Sequence, residues 1–134
     1  MESISWKPEY SVSFDSIDND HKIIIDLIGK ILTFAERDSQ EYELKEALNE
    51  LQKYVIYHFG REENYFRLTS YTDEEIHVQE HRNYLGKLRR IIEQISLGEK
   101  VALETFHTLS SCFLEHIDRF DKKYWEHFIK HGIS

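Results

Sequence analysis

Histidine stands out among the residue types in this sequence, because eight of the 134 residues are histidines. Imidazole is the commonest nitrogen ligand for metals in proteins and also serves as an acid/base group near neutral pH. Two short stretches pair a histidine with a second such group four residues later: HFGRE holds His58 and Glu62, and HVQEH holds His77 and His81. Residues four apart lie on one face of a helix, so each pair can hold an ion or line a cavity. Taken alone, each pair is also a common coincidence on a helix surface.

A third stretch, HIDRFD, has a less regular spacing. His116 is followed by Asp118 at i+2 and by Asp121 at i+5. An ideal helix turns about 100° per residue, which places Asp118 about 200° and Asp121 about 140° around the helix from His116. The stretch is therefore either a metal or catalytic pair, or a histidine with two solvated acids nearby. If Asp121 reaches the same site as His116, the helix must be distorted between them, and a π-bulge is the form of distortion that we predict.

Helical spacing of apolar residues runs through most of the chain and predicts the elements that position these groups. The periodic segments cover residues 18–37, 41–67, 73–96 and 101 onward. The breaks between them read ERDSQ, LTSYT and SLGEK, and Asp18 or Asp20 is a candidate cap for the first helix. Four long helices with short connections predict an all-α, antiparallel up-down-up-down four-helix bundle with an extended N-terminal arm. We expect a single domain over residues 1–134.

Antiparallel packing tests whether the candidate residues meet, because residues on neighbouring helices are level when their midpoint falls in the turn between the helices. The midpoint of His58 and His81 lies between residues 69 and 70, inside LTSYT. His81 and His116 have a midpoint near residue 99, inside SLGEK, and that of His21 and His58 lies between residues 39 and 40. The same test places seven residues at one level of the bundle: His21, His58, Glu62, His77, His81, His116 and Asp121. Apolar residues at helical spacing from His21 and His81 predict that the cluster faces inward.

Charge and composition argue against several classes of protein. The formal net charge is −8, and the densest basic cluster is KLRR at residues 87–90, whereas a nucleic-acid binder needs a basic stripe that displaces counterions. No apolar run approaches the roughly 18 residues of a membrane span, and the N-terminus has no basic segment followed by an apolar run. The single cysteine, Cys112, cannot form an internal disulfide. We therefore expect a cytoplasmic protein with neither a nucleic-acid nor a membrane partner.

A buried cluster of imidazoles and carboxylates needs a positive partner, because burying uncompensated charge is costly. Seven ligands are too many for one octahedral ion and suit two ions. The set contains no thiolate, which argues against structural zinc, and mixed imidazole and carboxylate ligation suits iron or manganese. The other histidines fall at other levels of the bundle and are predicted to be surface or helix-end residues: His107, His127 and His131. Cys112 is predicted to be a small buried hydrophobic residue.

Together these motifs resemble the bacterial type of hemerythrin domain over nearly the whole chain. The resemblance is carried by WKPEYSV at 6–12, IDNDH at 17–21, HFGREE at 58–63, HVQEH at 77–81 and HIDRFDKKY at 116–124. The sequence departs from the usual family pattern at residues that are not candidate ligands: Asp20, Phe66, Thr72 and Phe113. The departures bear on the shape of the ligand pocket. Its candidate lining residues are Ile25, Val55, Phe59 and Phe113.

The resemblance implies a non-haem di-iron centre that binds dioxygen reversibly. By the family pattern one iron is held by His77, His81 and His116, the other by His21 and His58, and the bridging carboxylates are Glu62 and Asp121. A bridging oxo or hydroxo group completes the pair of Fe2+ or Fe3+ ions and leaves one coordination position open on the iron with two histidines. The implied role is oxygen carriage, storage or sensing, and not enzyme catalysis. The alternatives left open are a di-iron enzyme that reduces peroxide or nitric oxide, and a metal-buffering bundle.

Overall fold

A computed structural model describes residues 4–37 and 41–133 of the chain. The helices are α1 Asp15–Glu36, α2 Glu41–Thr69, α3 Glu74–Ser96, α4 Leu103–Arg119 and the short α5 Trp125–Lys130. A 3-10 turn, Asp121–Tyr124, joins α4 to α5, and the described ranges contain no strand. The predicted centre of the first connection, between residues 39 and 40, lies outside the described residues.

The four long helices pack as a bundle around one apolar core. Each contacts two neighbours: α1 and α3 both pack against α2 and against α4. The periodic apolar residues point inward, as Ile24, Ile28 and Leu88 show by being fully buried. This confirms the predicted all-α up-down-up-down bundle with an N-terminal arm. Within the described ranges, no helix combines the length and the apolarity needed to cross a membrane.

Two tight turns fix the axial register of the central helices. After α2, Ser70 adopts a left-handed conformation with φ 52°, and the Tyr71 N–H donates to the Phe66 carbonyl at 3.0 Å. After α3, Gly98 has φ 77°, and the Glu99 N–H donates to the Gln94 carbonyl at 2.9 Å. Both patterns are helix-terminating motifs that satisfy the last carbonyls of the helix. The turns fall in LTSYT and SLGEK, where the sequence predicts them.

The first helix begins earlier than predicted. It begins at Asp15 because Phe14 and Ile17 are buried, which extends the packed face by one turn. The prediction that Asp18 or Asp20 caps this helix is therefore wrong. Asp18 instead holds the N-terminal arm: its carboxylate accepts hydrogen bonds from the Val12 N–H at 2.9 Å and the Ser11 hydroxyl at 2.5 Å.

Candidate metal centre

The seven residues predicted to meet lie together in the interior of the bundle. They are His21, His58, Glu62, His77, His81, His116 and Asp121, and none is more than 6% exposed. Each of the four long helices supplies at least one histidine, and Asp121 comes from the turn after α4. The axial matching inferred from the turn positions therefore agrees with the structure.

Glu62 lies between histidines of two helices. Its Oε1 atom is 3.1 Å from His81 Nε2 on α3 and 3.5 Å from His58 Nε2, one turn earlier on α2. Its Oε2 atom accepts a 2.6 Å hydrogen bond from the Tyr124 hydroxyl. The i,i+4 spacing of His58 and Glu62 thus places both on the inner face of α2.

Asp121 links histidines of the other helices. Its Oδ1 atom is 2.9 Å from His77 Nε2 and 3.1 Å from His116 Nε2. Its Oδ2 atom is 3.0 Å from His21 Nε2. One carboxylate therefore reaches groups from α1, α3 and α4.

The backbone leaves the α-helix to bring Asp121 to this position. Helix α4 ends at Arg119, Phe120 has φ −115° and ψ −52°, and a 3-10 turn begins at Asp121. The predicted distortion between His116 and Asp121 is confirmed, but the predicted π-bulge is wrong, because the helix ends and a tighter turn replaces it. Asp118 is still on the regular helix and points to solvent, with a side chain 73% exposed.

The ligand-type atoms form two adjacent groups, in each of which all atoms lie within 4.8 Å of one another. One group consists of Glu62, His77, His81, His116 and Asp121, and the other of His21, His58, Glu62 and Asp121. Both carboxylates belong to both groups. Two cations held side by side by shared carboxylates suit this arrangement, with three histidines on one side and two on the other.

Most of the central atoms lie close to one another without a hydrogen bond, the exception being Nε2 of His21 and Nε2 of His58, which are 3.1 Å apart. The buried atoms without a hydrogen-bond partner include Nε2 of His77, His81 and His116, Oε1 of Glu62, and both carboxylate oxygens of Asp121. Buried polar atoms left unpaired cost about 1–3 kcal/mol each and are rare in native proteins. Coordinated cations would satisfy all of these atoms, so the donor set fits a metal centre.

Two further carboxylates orient the ring nitrogens that face away from the centre. The His58 Nδ1–H donates to Asp20 at 2.8 Å, and the His81 Nδ1–H donates to Glu63 at 2.8 Å. Such outer hydrogen bonds fix the tautomer of a ligating imidazole and raise its basicity. Asp20 also contacts Arg61. Burial raises the pKa of Asp20, but the hydrogen bond and charge of His58 outweigh burial and lower it.

The electrostatics of the cluster hold its carboxylates in the ionised form. Burial alone would raise the pKa of Asp121, but the neighbouring histidines hold it well below its ordinary value, and His116 has the largest effect among them. The pKa of Glu62 is also lowered, since His58 and His81 outweigh burial and the charge of Asp121. Burial lowers the pKa of His81, but the adjacent carboxylates of Glu62 and Glu63 outweigh burial and raise it to about 9. A proton on His81 thus offsets part of the carboxylate charge in the metal-free protein.

Aromatic rings pack directly against the ligand side chains. Phe59 stacks on His81 with ring centroids 3.8 Å apart, and Phe113 meets His21 edge-on at 5.7 Å. Ile25 and Val55 are fully buried. That these four residues line a ligand pocket stays a prediction, since core packing alone also places them inward.

The remaining histidines and the cysteine lie outside both groups. His127 bonds to the Thr69 carbonyl at 2.9 Å and His131 bonds to the His127 carbonyl at 2.8 Å, both at the bundle end, as predicted. His107 is half-buried on α4. Cys112 was predicted to be a small buried hydrophobic residue; it packs against the edge of the core but is only half-buried, and its sulfur lies 3.5 Å from Lys87 Nζ.

Sequence reasoning did not identify three residues that hydrogen-bond to the ligand side chains: Asp20, Glu63 and Tyr124. A signal for Asp20 was present, because the midpoint of Asp20 and His58 falls at residue 39, in the predicted first connection. No comparable signal existed for Tyr124. Its hydroxyl reaches Glu62 only because the chain turns after α4.

Comparison with known proteins agrees with this geometry. A family model described as the hemerythrin HHE cation binding domain matches residues 12–127. A bacteriohemerythrin of Pseudomonas paraeruginosa is 25% identical over all of this chain and 86% of the relative, and one of Methylococcus capsulatus is 27% identical over 92% of this chain and 95% of the relative. A crystal structure of wild-type hemerythrin has a TM-score of 0.85 at 26% identity, covering 92% of this chain and 95% of that one.

The fold and the buried ligand cluster define a four-helix-bundle protein with a site suited to metal ions. The family match extends over most of the chain, and the chain therefore belongs to the hemerythrin family. The family resemblance seen in the sequence is thereby confirmed. A single domain over residues 1–134 stays a prediction.

Proposed function

We propose that this chain is a non-haem di-iron protein that binds dioxygen reversibly. The observation that carries the proposal is the pair of ligand groups that share Glu62 and Asp121 in a fully buried site. Family membership supports it, as do relatives and solved structures that bear the name hemerythrin.

In this proposal each residue has a defined role. His77, His81 and His116 would hold one iron and His21 and His58 the other, with Glu62 and Asp121 available to both. The group with two histidines offers fewer protein ligands, so dioxygen would bind on that side. A reduced iron pair would supply two electrons to dioxygen.

The protein's own groups orient the ligands and exclude water. Asp20 and Glu63 hold the outer nitrogens of His58 and His81, so that each Nε2 atom faces the centre. The Tyr124 hydroxyl donates a hydrogen bond to Glu62 Oε2 and keeps that carboxylate aligned. The rings of Phe59 and Phe113 cover the histidines on the core side. A dry, apolar surrounding favours entry of a neutral diatomic molecule over that of ions.

The donor set also bears on the choice between a carrier and an oxygenase. Di-iron oxygenases in ferritin-like bundles use a carboxylate-rich shell with Glu-x-x-His motifs. Here five imidazoles accompany only two carboxylates, which supplies less anionic charge to stabilise high-valent iron. This difference supports reversible binding, in carriage, storage or sensing. We also propose a cytoplasmic location, which a single cysteine permits because no internal disulfide is needed.

A deoxygenation cycle tests the proposal. The iron-loaded protein is reduced under anaerobic conditions, oxygen is admitted, and the visible spectrum is recorded as oxygen is removed and returned. A charge-transfer band that appears and disappears over several cycles supports the carrier. Irreversible conversion to the ferric form, or turnover with peroxide or nitric oxide, would instead indicate an enzyme. Iron uptake without any response to oxygen would indicate a metal-buffering bundle, and no iron uptake would refute both the carrier and the di-iron enzyme.

A further inference from the structure

Asp20 is next to His21 in the sequence, but its side chain serves a histidine of the neighbouring helix. It is 3% exposed and points from α1 to α2. Its Oδ2 atom accepts a hydrogen bond from His58 Nδ1 at 2.8 Å and lies 3.0 Å from Arg61 Nε. Its Oδ1 atom accepts a hydrogen bond from the Tyr54 hydroxyl at 3.0 Å. Three partners thus fix the position of this buried carboxylate.

These partners all come from one face of α2. Tyr54, His58 and Arg61 are spaced by four and three residues, so a single carboxylate from α1 meets all three side chains. Arg61 is itself held by a hydrogen bond to the Tyr57 hydroxyl. The array therefore leaves Asp20 little freedom to rotate.

The two histidines on this side of the centre have different surroundings. The Nδ1 atom of His21 is buried and has no hydrogen-bond partner, whereas that of His58 donates to the Asp20 carboxylate. On the other side, His81 has a carboxylate partner in Glu63, whose side chain is 27% exposed, against 4% for Asp20. Solvent screens an exposed charge more strongly than a buried one. Asp20 is therefore the outer carboxylate with the stronger electrostatic effect on the centre.

We propose that Asp20 is a positioning residue that locks the His58 tautomer with Nε2 toward the centre and makes this imidazole a stronger donor to its metal ion. A more strongly donating imidazole favours the ferric over the ferrous form, because it supplies more negative charge to the metal. Asp20 therefore tightens metal binding in the two-histidine group and lowers the reduction potential of that ion. The inference rests on the proposed function and names one residue that tunes the same site.

The test compares three full-length proteins: the wild type, Asp20→Asn and Asp18→Asn. Asparagine keeps the shape of the side chain and removes its charge. Asp18 is the control, since it is a carboxylate of the same helix at 9% exposure whose hydrogen-bond partners are Ser11 and Val12. Its charge also acts on His21, but it makes no hydrogen bond to a ligand histidine. Circular dichroism first establishes that all three proteins are folded. Each metal-free protein is then titrated with Co2+, whose visible bands report each ion as it binds, and the iron-loaded proteins are titrated for their reduction potential.

We expect Asp20→Asn to weaken the binding of one of the two Co2+ ions by about 10–100-fold and to leave the affinity for the other unchanged. Its reduction potential should rise, by about 59 mV for each tenfold change in the ratio of ferric to ferrous affinity. Asp18→Asn should change both measurements much less than Asp20→Asn, since it removes a charge but no hydrogen bond to a ligand histidine. If Asp20→Asn is folded and has wild-type affinities and potential, the inference is wrong while the proposed function stands. If the wild type itself takes up no pair of ions, the proposed function fails.

Discussion

Replacing Tyr124 by phenylalanine removes one buried hydrogen bond to a charged group and almost no volume. The hydroxyl donates to Glu62 Oε2 at 2.6 Å, and both residues are fully buried. In the metal-free protein the change leaves Oε2 without a partner, beside Oε1, which already lacks one. Tyr84→Phe is a matched control: that ring is also buried, but its hydroxyl donates to the neutral Leu109 carbonyl at the longer distance of 3.3 Å.

The expected magnitudes follow from the two acceptors. A hydrogen bond to a charged group is worth about 1.5–3 kcal/mol and one to a neutral group about 0.5–1.5 kcal/mol. We therefore expect the free energy of unfolding to fall by about 2 kcal/mol in Tyr124→Phe and by about 1 kcal/mol in Tyr84→Phe. With an unfolding entropy of about 2.1 cal/mol/K per residue, a chain of 134 residues loses about 7 °C in Tm for the first change and about 3–4 °C for the second.

Thermal and urea unfolding of the metal-free proteins at pH 7, followed by circular dichroism, measure both values. The slope of the urea transition should be unchanged, which would show that the unfolded states are comparable. A loss in Tyr124→Phe equal to or smaller than that in Tyr84→Phe would refute the reasoning. It would mean that Glu62 is not an ionised acceptor of the Tyr124 hydroxyl.

Three further predictions concern the ligand cluster. Protonated His81 stabilises the metal-free fold, fully so below the ordinary pKa of 6.5, and this contribution is lost as pH rises through about 9. The midpoint of urea unfolding should therefore fall between pH 7 and pH 9.5. It should fall less in His81→Gln, which has no proton to lose. Asp121→Ala should weaken the binding of both metal ions at least tenfold, because Asp121 belongs to both groups, whereas His21→Ala should weaken the binding of only one. Equal effects of the two variants in a Co2+ titration would contradict this. Asp118→Asn should keep both ions and a free energy of unfolding within about 0.5 kcal/mol of the wild type, since the Asp118 side chain is 73% exposed. Loss of an ion would disprove the assignment of this side chain to solvent.

The fold was largely predictable because its determinants are local in the sequence. Apolar residues at helical spacing identify the four helices, and the breaks LTSYT and SLGEK coincide with the turns at Ser70 and Gly98. The start of α1 was placed too late, because burial of Phe14 and Ile17 depends on what the first turn packs against. The end of α4 also depends on tertiary packing and was not predicted. The apolar pattern continues through Phe120, but the regular helix ends at Arg119.

The inner ligand cluster was also predictable, since the helices are stiff and their register follows from the turns. Once the turns are placed, a constant rise per residue determines which side chains are level. The outer carboxylates depend on side-chain direction between helices, which the spacing does not specify. Asp20 bonds to His58 of another helix and not to its neighbour His21, and only the packing of α1 against α2 makes that choice.

The HIDRFD stretch shows most clearly which features follow from the sequence and which depend on the tertiary structure. The sequence by itself determined that His116 and Asp121 cannot share a face of a regular helix, because helical geometry is fixed by the backbone. Only the tertiary structure decided how the conflict is resolved: α4 ends at Arg119, and a 3-10 turn carries Asp121 within 3.1 Å of His116. The reason is that ending a helix costs local hydrogen bonds, while the compensation comes from histidines on three different helices, which no local pattern contains.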